Sequence, residues 1–322
     1  MWWVLKVRKI ALWSLLLCFW AGLGWAAEEG FSPAERQLLV DAYVDRFDRS
    51  FLEQTFFDQR LDKVEMLVKR NIHNQETGRD YEDFKSKYSM WLAKKFQRKW
   101  RTTLKRASEQ FGVDQEVVVA ILLVETGFGN VMGKYPVIGT FSSILVQYEQ
   151  NKHLYPIAPD ADEDQVYFLN RLEQKAAWAK TELAALLTLS QKNRKSPYRY
   201  KGSYAGAFGL PQFLPSSYLK WGFDSDDNGS VNLFYFPDAI YSTANYLKSH
   251  GWKEGLHHFE NQRVVWHYNR SAPYVETVLE IAKSLRKNRA GKSPQRPENL
   301  ALNQPDRRAE RASGGKIFTD KL

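Results

Sequence analysis

The chain has 322 residues, enough for one large domain or two ordinary ones, and its 43% hydrophobic and 26% charged content is that of a globular protein. The net charge of +9 sits at the ends. Lys6, Arg8 and Lys9 supply three charges, and ten Lys or Arg against four Asp or Glu from Arg286 to Leu322 supply six, leaving about zero for the body. That distribution argues against a basic nucleic-acid groove in the folded part.

The chain begins MWWVLKVRKIALWSLLLCFWAGLGWAAEEG, a short basic start followed by an apolar stretch from about Ile10 to Trp25 and the small residues Gly24 and Ala26. This predicts a secretory signal over residues 1–26, cleaved after Ala26, and export to the periplasm. The run is short for a membrane span. Leu15, Leu16 and Leu17 ahead of Cys18 lack the small residues of a lipid-attachment site, so no lipid anchor is expected. Cys18 is the only cysteine, so the mature chain would hold neither a disulfide nor a catalytic thiolate.

From Ser32 to about Phe111 the pattern is helical. Ser32 stands as a cap ahead of Pro33, and YSMWLAKKFQRKWRTTLKRASEQFG reads as one long amphipathic helix ending at Gly112. Asp114 then caps a helix whose apolar run, Val117 to Val124, leads into Glu125 and Gly127. QVYFLNRLEQKAAWAKTELAALLTLSQKN reads as one long helix or two, after the polar loop LYPIAPDADED. SPYRYKGSYAGAFGLPQFLPSSYLKWG is too rich in Gly and Pro to stay regular. Two further helices follow, one from Pro237 to Gly251 and one over APYVETVLEIAKSLRKN. No alternating apolar run is long enough for a sheet, so the fold class is mostly α. The folded body is expected to cover residues 27–285, and residues 286–322 read as a basic, disordered tail.

Four groups of residues could carry chemistry. Glu125 ends a helix that is apolar on all faces, so its carboxyl is desolvated and its protonated form favoured, as a general acid requires. The alternative is an exposed acid at a fraying helix end. In SYAGAFGLPQFLPSS, Gly206 and Gly209 allow close backbone approach, while Ser203 and Gln212 could hydrogen-bond a sugar; the alternative is a packed turn. In FDSDDNGSVNLFYFPDAI, Asp224, Asp226, Asn228 and Ser230 alternate around Gly229 as in a calcium loop, but Tyr235 replaces the expected acid at its end. Asp238 lies three residues further on and could complete the set, or simply begin a helix. In WHYNRSAPY, Tyr268, Asn269 and Tyr274 offer rings and an amide suited to carbohydrate, or ordinary packing.

Together VETGFGNVMGKYPVI, SYAGAFGLPQFLPSSY, the acidic loop and YNRSAPY resemble the lytic murein transglycosylases of the B type, in the lysozyme-like superfamily, over roughly Arg79 to Leu285. The resemblance implies a lysozyme-like core with an N-terminal helical region and a small calcium-loop subdomain at 224–238. It implies Glu125 as the single catalytic acid/base, and Ser203, Gln212, Tyr268, Asn269, Tyr274 and Tyr81 as substrate-binding residues. Asp224, Asp226, Asn228, Ser230 and Asp238 would bind a structural Ca2+; no organic cofactor is implied. The implied reaction cleaves the bond between N-acetylmuramic acid and N-acetylglucosamine in peptidoglycan glycan strands and leaves a 1,6-anhydro end. Gly127 and Gly129 would leave room for the strand. The segment from Gln147 to Arg171 is longer than the family pattern, and the basic tail has no counterpart in it. Two rivals keep the same fold: a silent wall-binding scaffold, whose tail holds an envelope protein or an acidic surface, and a lysozyme-type hydrolase.

Overall fold

Ser32 opens the first helix with a reciprocal cap. Its hydroxyl accepts from the Glu35 amide at 3.3 Å, and the Glu35 carboxylate accepts from the Ser32 amide at 2.8 Å. The structure, a computed structural model, describes residues 30–64, 78–254 and 258–287. The expected signal peptide and all of the basic tail beyond Lys287 lie outside the described residues.

Eleven α-helices occur among the described residues: α1 (Pro33–Asp41), α2 (Arg49–Phe56), α3 (Lys87–Lys99), α4 (Arg101–Phe111), α5 (Gln115–Thr126), α6 (Val137–Asn151), α7 (Glu163–Asn193), α8 (Pro215–Trp221), α9 (Phe236–Ser249), α10 (His258–Tyr268) and α11 (Ala272–Lys287). A 3-10 turn, Gly78–Lys85, precedes α3. The single expected helix over residues 88–112 is two, because Trp100 leaves the helical region (φ −103°, ψ 22°). Neither proline nor glycine marks the break; Trp100 packs there against Phe96 and Phe236, with ring centroids 6.4 and 5.3 Å away. The segment left open as one helix or two is one, running 31 residues. The final helix runs from Ala272 to Lys287, one residue short of the expected stretch.

α5 is the centre of the fold. Every residue from Gln115 to Thr126 is buried, against α3, α4, α9, α11 and the 3-10 turn. Each of its large apolar side chains contributes roughly 1.5–3 kcal/mol by leaving water. Asp114 sits at the expected cap position but makes no side-chain cap bond. Its carboxylate instead accepts from Trp252 Nε1 at 3.1 Å and pairs with Arg286 at 3.0 Å, tying the start of α5 to the end of α11.

The only strands among the described residues are two short ones, β1 (Tyr135–Pro136) and β2 (Lys201–Gly202), paired antiparallel with Tyr135 opposite Gly202. They lead into the loop from Ser203 to Leu214, which folds through bridges from Phe208 to Gly202 and Phe213. α6 lies along α7, and α8 packs on α7. Among the described residues no helix is long and apolar enough to cross a membrane.

Candidate active site

Glu125 stands in the last turn of α5, where its side chain is buried with 1% of its surface exposed. The Tyr274 hydroxyl, from the first turn of α11, donates to Glu125 Oε1 at 2.7 Å. Phenols surround it. Burial raises the pKa of Tyr274, Tyr268 and Tyr246, and the charge of Glu125 raises each further. These hydroxyls therefore remain donors across the neutral range. Tyr81 meets the Tyr274 ring edge-on at 6.0 Å.

The backbone beyond Glu125 turns sharply. Gly127, Phe128 and Gly129 all have positive φ (56°, 58° and 89°). A phenylalanine there is strained, and its ring is held by stacking on Phe96, 4.2 Å away and within 8° of parallel. Gly127 is the left-handed cap that ends the helix. A Cβ on Gly129 would come within 3.0 Å of Leu210 Cδ2, so that glycine serves packing of the neighbouring loop. They provide the turn and this contact.

Thr126 and Tyr268 fasten the Ser203–Leu214 loop beside Glu125. Thr126 Oγ1 donates to the Leu210 carbonyl at 3.0 Å and accepts from the Gly129 amide at 3.1 Å. Tyr268 Oη donates to the Pro211 carbonyl at 2.6 Å, and its ring stacks on Tyr274 with centroids 6.4 Å apart. Gln212, fully buried at φ 49°, donates to the Gly209 carbonyl at 2.8 Å and to that of Met132 at 3.4 Å. Ser203 is 6% exposed, and its hydroxyl has no hydrogen-bond partner within the described residues. Asn269 is buried in the turn before α11, where its carbonyl accepts from the Ser271 amide at 2.9 Å. Tyr268, Tyr274, Tyr81 and Gln212 are thus brought into one buried network around Glu125. There Tyr268, Tyr274 and the Gln212 amide donate to the protein itself.

Three positioning residues carry little sequence signal. Thr126 follows the acid directly. Ser271 accepts from the Tyr274 amide at 3.4 Å and so sets the first turn of α11. Glu182, 4% exposed on α7, accepts from the Ser216 amide at 2.9 Å and hydroxyl at 2.7 Å, holding the start of α8.

The acidic loop stands apart from Glu125 but is joined to its surroundings. The Leu210 amide donates to the Leu233 carbonyl at 2.8 Å. Carboxylate oxygens of Asp224, Asp226 and Asp238 all lie within 4.8 Å of one another. Asp238, fully buried, accepts from the Ser225 amide and hydroxyl at 3.0 and 2.6 Å and from the Asn232 amide at 2.7 Å. Asp224 accepts from the Gly229 amide at 2.6 Å and the Asn228 amide at 3.3 Å. Loss of hydration pushes the Asp226 carboxyl up, and its hydrogen bond to Asp224 pushes it further. Asp224 goes the other way: backbone amides outweigh its desolvation and lower it. Two crowded carboxylates that titrate apart suit a hard, oxygen-seeking cation. Asn228 Nδ2 donates to Asp226 Oδ1. The Ser230 hydroxyl accepts from Lys195 Nζ at 3.3 Å, so at that position a cation would meet the backbone carbonyl.

Residues 30–258 match the transglycosylase SLT domain family, and the chain belongs to it. The Escherichia coli (strain K12) membrane-bound lytic murein transglycosylase B is 28% identical over 279 residues, 81% of this chain and 68% of that protein. The Escherichia coli lytic transglycosylase SLT35, in complex with bulgecin A, superposes with a TM-score of 0.65 at 21% identity, covering 79% of this chain and 93% of the other. The same protein in complex with calcium gives 0.64 at 22% over the same shares. SltB3 from Pseudomonas aeruginosa, in complex with NAG-anhNAM-pentapeptide, gives 0.62 at 19%, covering 79% and 78%. At these identities the structures show a shared fold, helical and lysozyme-like.

Proposed function

We propose that the protein cleaves the MurNAc–GlcNAc bond of peptidoglycan without adding water, with Glu125 as its acid and then its base. The observation that carries this is the buried carboxyl of Glu125, hydrogen-bonded by Tyr274 and set among phenols. A carboxyl so placed is poised to protonate the glycosidic oxygen. The acetamido group of the muramoyl sugar stabilises the cationic centre that forms. Glu125, now ionised, takes the proton from the same sugar's 6-hydroxyl, whose oxygen closes onto the anomeric carbon as the 1,6-anhydro ring. The sugar's own hydroxyl, held in place, outcompetes water by proximity. A relative named as a lytic murein transglycosylase and a neighbour in complex with NAG-anhNAM-pentapeptide support this reading.

Tyr274, Tyr81 and Tyr268 hold the acid and the loop, with Ser203, Gln212 and Asn269 as the polar contacts to sugar. Export to the periplasm by the N-terminal signal would bring the enzyme to its substrate. Digestion of purified peptidoglycan tests the reading: muropeptides ending in 1,6-anhydro-N-acetylmuramic acid are expected by mass spectrometry. Reducing ends alone would make it a hydrolase, and bound glycan without soluble product would make it a scaffold.

Tyr274→Phe removes one donor to a carboxyl while keeping the ring. A hydrogen bond to a charged group contributes roughly 1.5–3 kcal/mol to stability, so Tm should fall, and kcat should fall by about tenfold or more with KM little changed. Unchanged kcat would show that the phenol does not set the acid's state.

Asp224, Asp226 and Asp238, with Asn228 and the Ser230 backbone carbonyl, would hold Ca2+ as a structural ion. SLT35 has been solved in complex with calcium, which agrees with that role here. Calcium at a hundredfold excess over its Kd should stabilise the fold by about 2.7 kcal/mol, read as a rise in Tm. Asp226→Asn should abolish the rise and leave the calcium-free Tm nearly unchanged, since Asp226 is exposed. A Tm indifferent to calcium and chelator would remove the ion from the account.

A further inference from the structure

The neutral total of the body conceals a local surplus. The stretch KNRKSPYRYK carries five cations, Lys192, Arg194, Lys195, Arg199 and Lys201, and no acid. All five are exposed, and none is paired with an acid among the described residues. α7 ends at Asn193, and Arg194 closes it at φ 51°, so Lys192, Arg194 and Lys195 meet the negative pole of that helix. Arg199 and Lys201 lie beyond its reach, so the helix does not account for them.

The segment is rigidly mounted. The Lys195 amide donates to the Ser190 carbonyl at 3.0 Å, and the buried Tyr198 donates to the Thr55 carbonyl at 2.7 Å. Lys195 and Arg199 thereby line a cavity of about 150 Å³ together with Asn193, Tyr200, Tyr218 and Phe234. No acid is among its lining residues. Asn193 Nδ2 donates to Tyr200 Oη at 3.3 Å and to Tyr218 Oη at 3.0 Å, and Tyr218 passes its own hydrogen to the Val231 carbonyl at 2.7 Å. Nothing among the described residues accepts the Tyr200 hydrogen. Burial raises the pKa of that phenol, which keeps it a donor. Phe234 adds a ring that is 42% exposed.

We propose that this cavity is a carboxylate-binding subsite for an acidic peptide, the stem peptide of the peptidoglycan strand, separate from the reacting carboxyl at Glu125. The identity of the peptide rests on the function proposed above. Arg199, Lys195 and Tyr200 all line one small concavity, and a guanidinium, an ammonium and a phenol suit a single carboxylate with a short chain beside it. A bilayer would need a broad convex face, whereas Lys195 and Arg199 line a small concavity.

The test uses the full chain carrying Glu125→Gln, so that ligands survive. Calorimetric titration with NAG-NAM-pentapeptide and with peptide-free NAG-NAM should show about tenfold tighter binding of the first. Adding Lys195→Ala and Arg199→Ala should remove that difference and leave the affinity for peptide-free NAG-NAM unchanged. Arg199→Gln alone, which spares the Lys195 contact to the calcium loop, should remove part of it. A peptide preference that survives in the double variant, or none in its parent, overturns the proposal. So does loss of binding to phosphatidylglycerol vesicles in the double variant with the preference intact, which would assign the patch to a membrane. The readout needs no turnover. If the unmodified chain releases nothing from peptidoglycan while the preference and its loss persist, the catalytic reading fails and the subsite stands.

Discussion

Glu125→Gln is expected to lower the release of soluble muropeptides by about a thousandfold, within the range that general acid–base groups contribute. The amide keeps the volume of the carboxyl and still accepts from Tyr274, so neither the packing of α5 nor the 2.7 Å contact is lost for steric reasons. What disappears is the proton, which the amide can neither give to the glycosidic oxygen nor take from the 6-hydroxyl. Tm should stay within a few degrees of the parent. Turnover close to that of the parent would show that another group moves the proton, and a large fall in Tm would turn the result into one about folding.

The second large effect concerns backbone. Gly133 lies at φ 77°, and a Cβ built on it would come within 2.1 Å of the carbonyl carbon and oxygen of Gly202 and 2.5 Å of the Ser203 nitrogen. Those are backbone atoms, fixed by the pairing of Tyr135 with Gly202. Relief therefore requires the β1–β2 contact to open, at the point where the Ser203–Leu214 loop begins. Gly133→Ala should cost about 3 kcal/mol or more from the clash and the disfavoured φ together. Gly112→Ala is the control. Gly112 has a similar φ of 63° but nothing within 4 Å of its added Cβ, so a loss of about 1 kcal/mol is expected. Urea unfolding of both variants separates the two terms. Equal losses would mean that the close approach to Gly202 contributes nothing.

Much of this was legible in the sequence because it depended on local rules. The cap at Ser32, the apolar run ending at Glu125 and the turn-rich loop after Gly202 all follow from residue type and spacing. The break at Trp100 did not, because it arises from packing of its indole on Phe96 and Phe236, and Phe236 is far away in sequence. Asp114 takes its expected cap position, but its side chain makes no cap bond because Trp252 and Arg286 hold its carboxylate. α10 carries a mixed pattern over His258–Tyr268 that announces no helix, yet it delivers Tyr268 to Pro211. Motifs mark which residues matter more readily than what they touch. YNRSAPY left rings for a sugar and ordinary packing equally open in residue type, and only the structure shows Tyr268 and Tyr274 each 1% exposed and bonded to Pro211 and Glu125. Net charge was the weakest guide, since a body total near zero averages out five unpaired cations within ten residues.

The central claim is that the new end is closed by the sugar's own hydroxyl and not by water. Digesting peptidoglycan in oxygen-labelled water puts that claim to one mass measurement. The account predicts muropeptides that carry no label at the new muramoyl end and are lighter by one water than the hydrolysed product. One labelled oxygen at each new end would contradict it and make Glu125 the acid of a hydrolase.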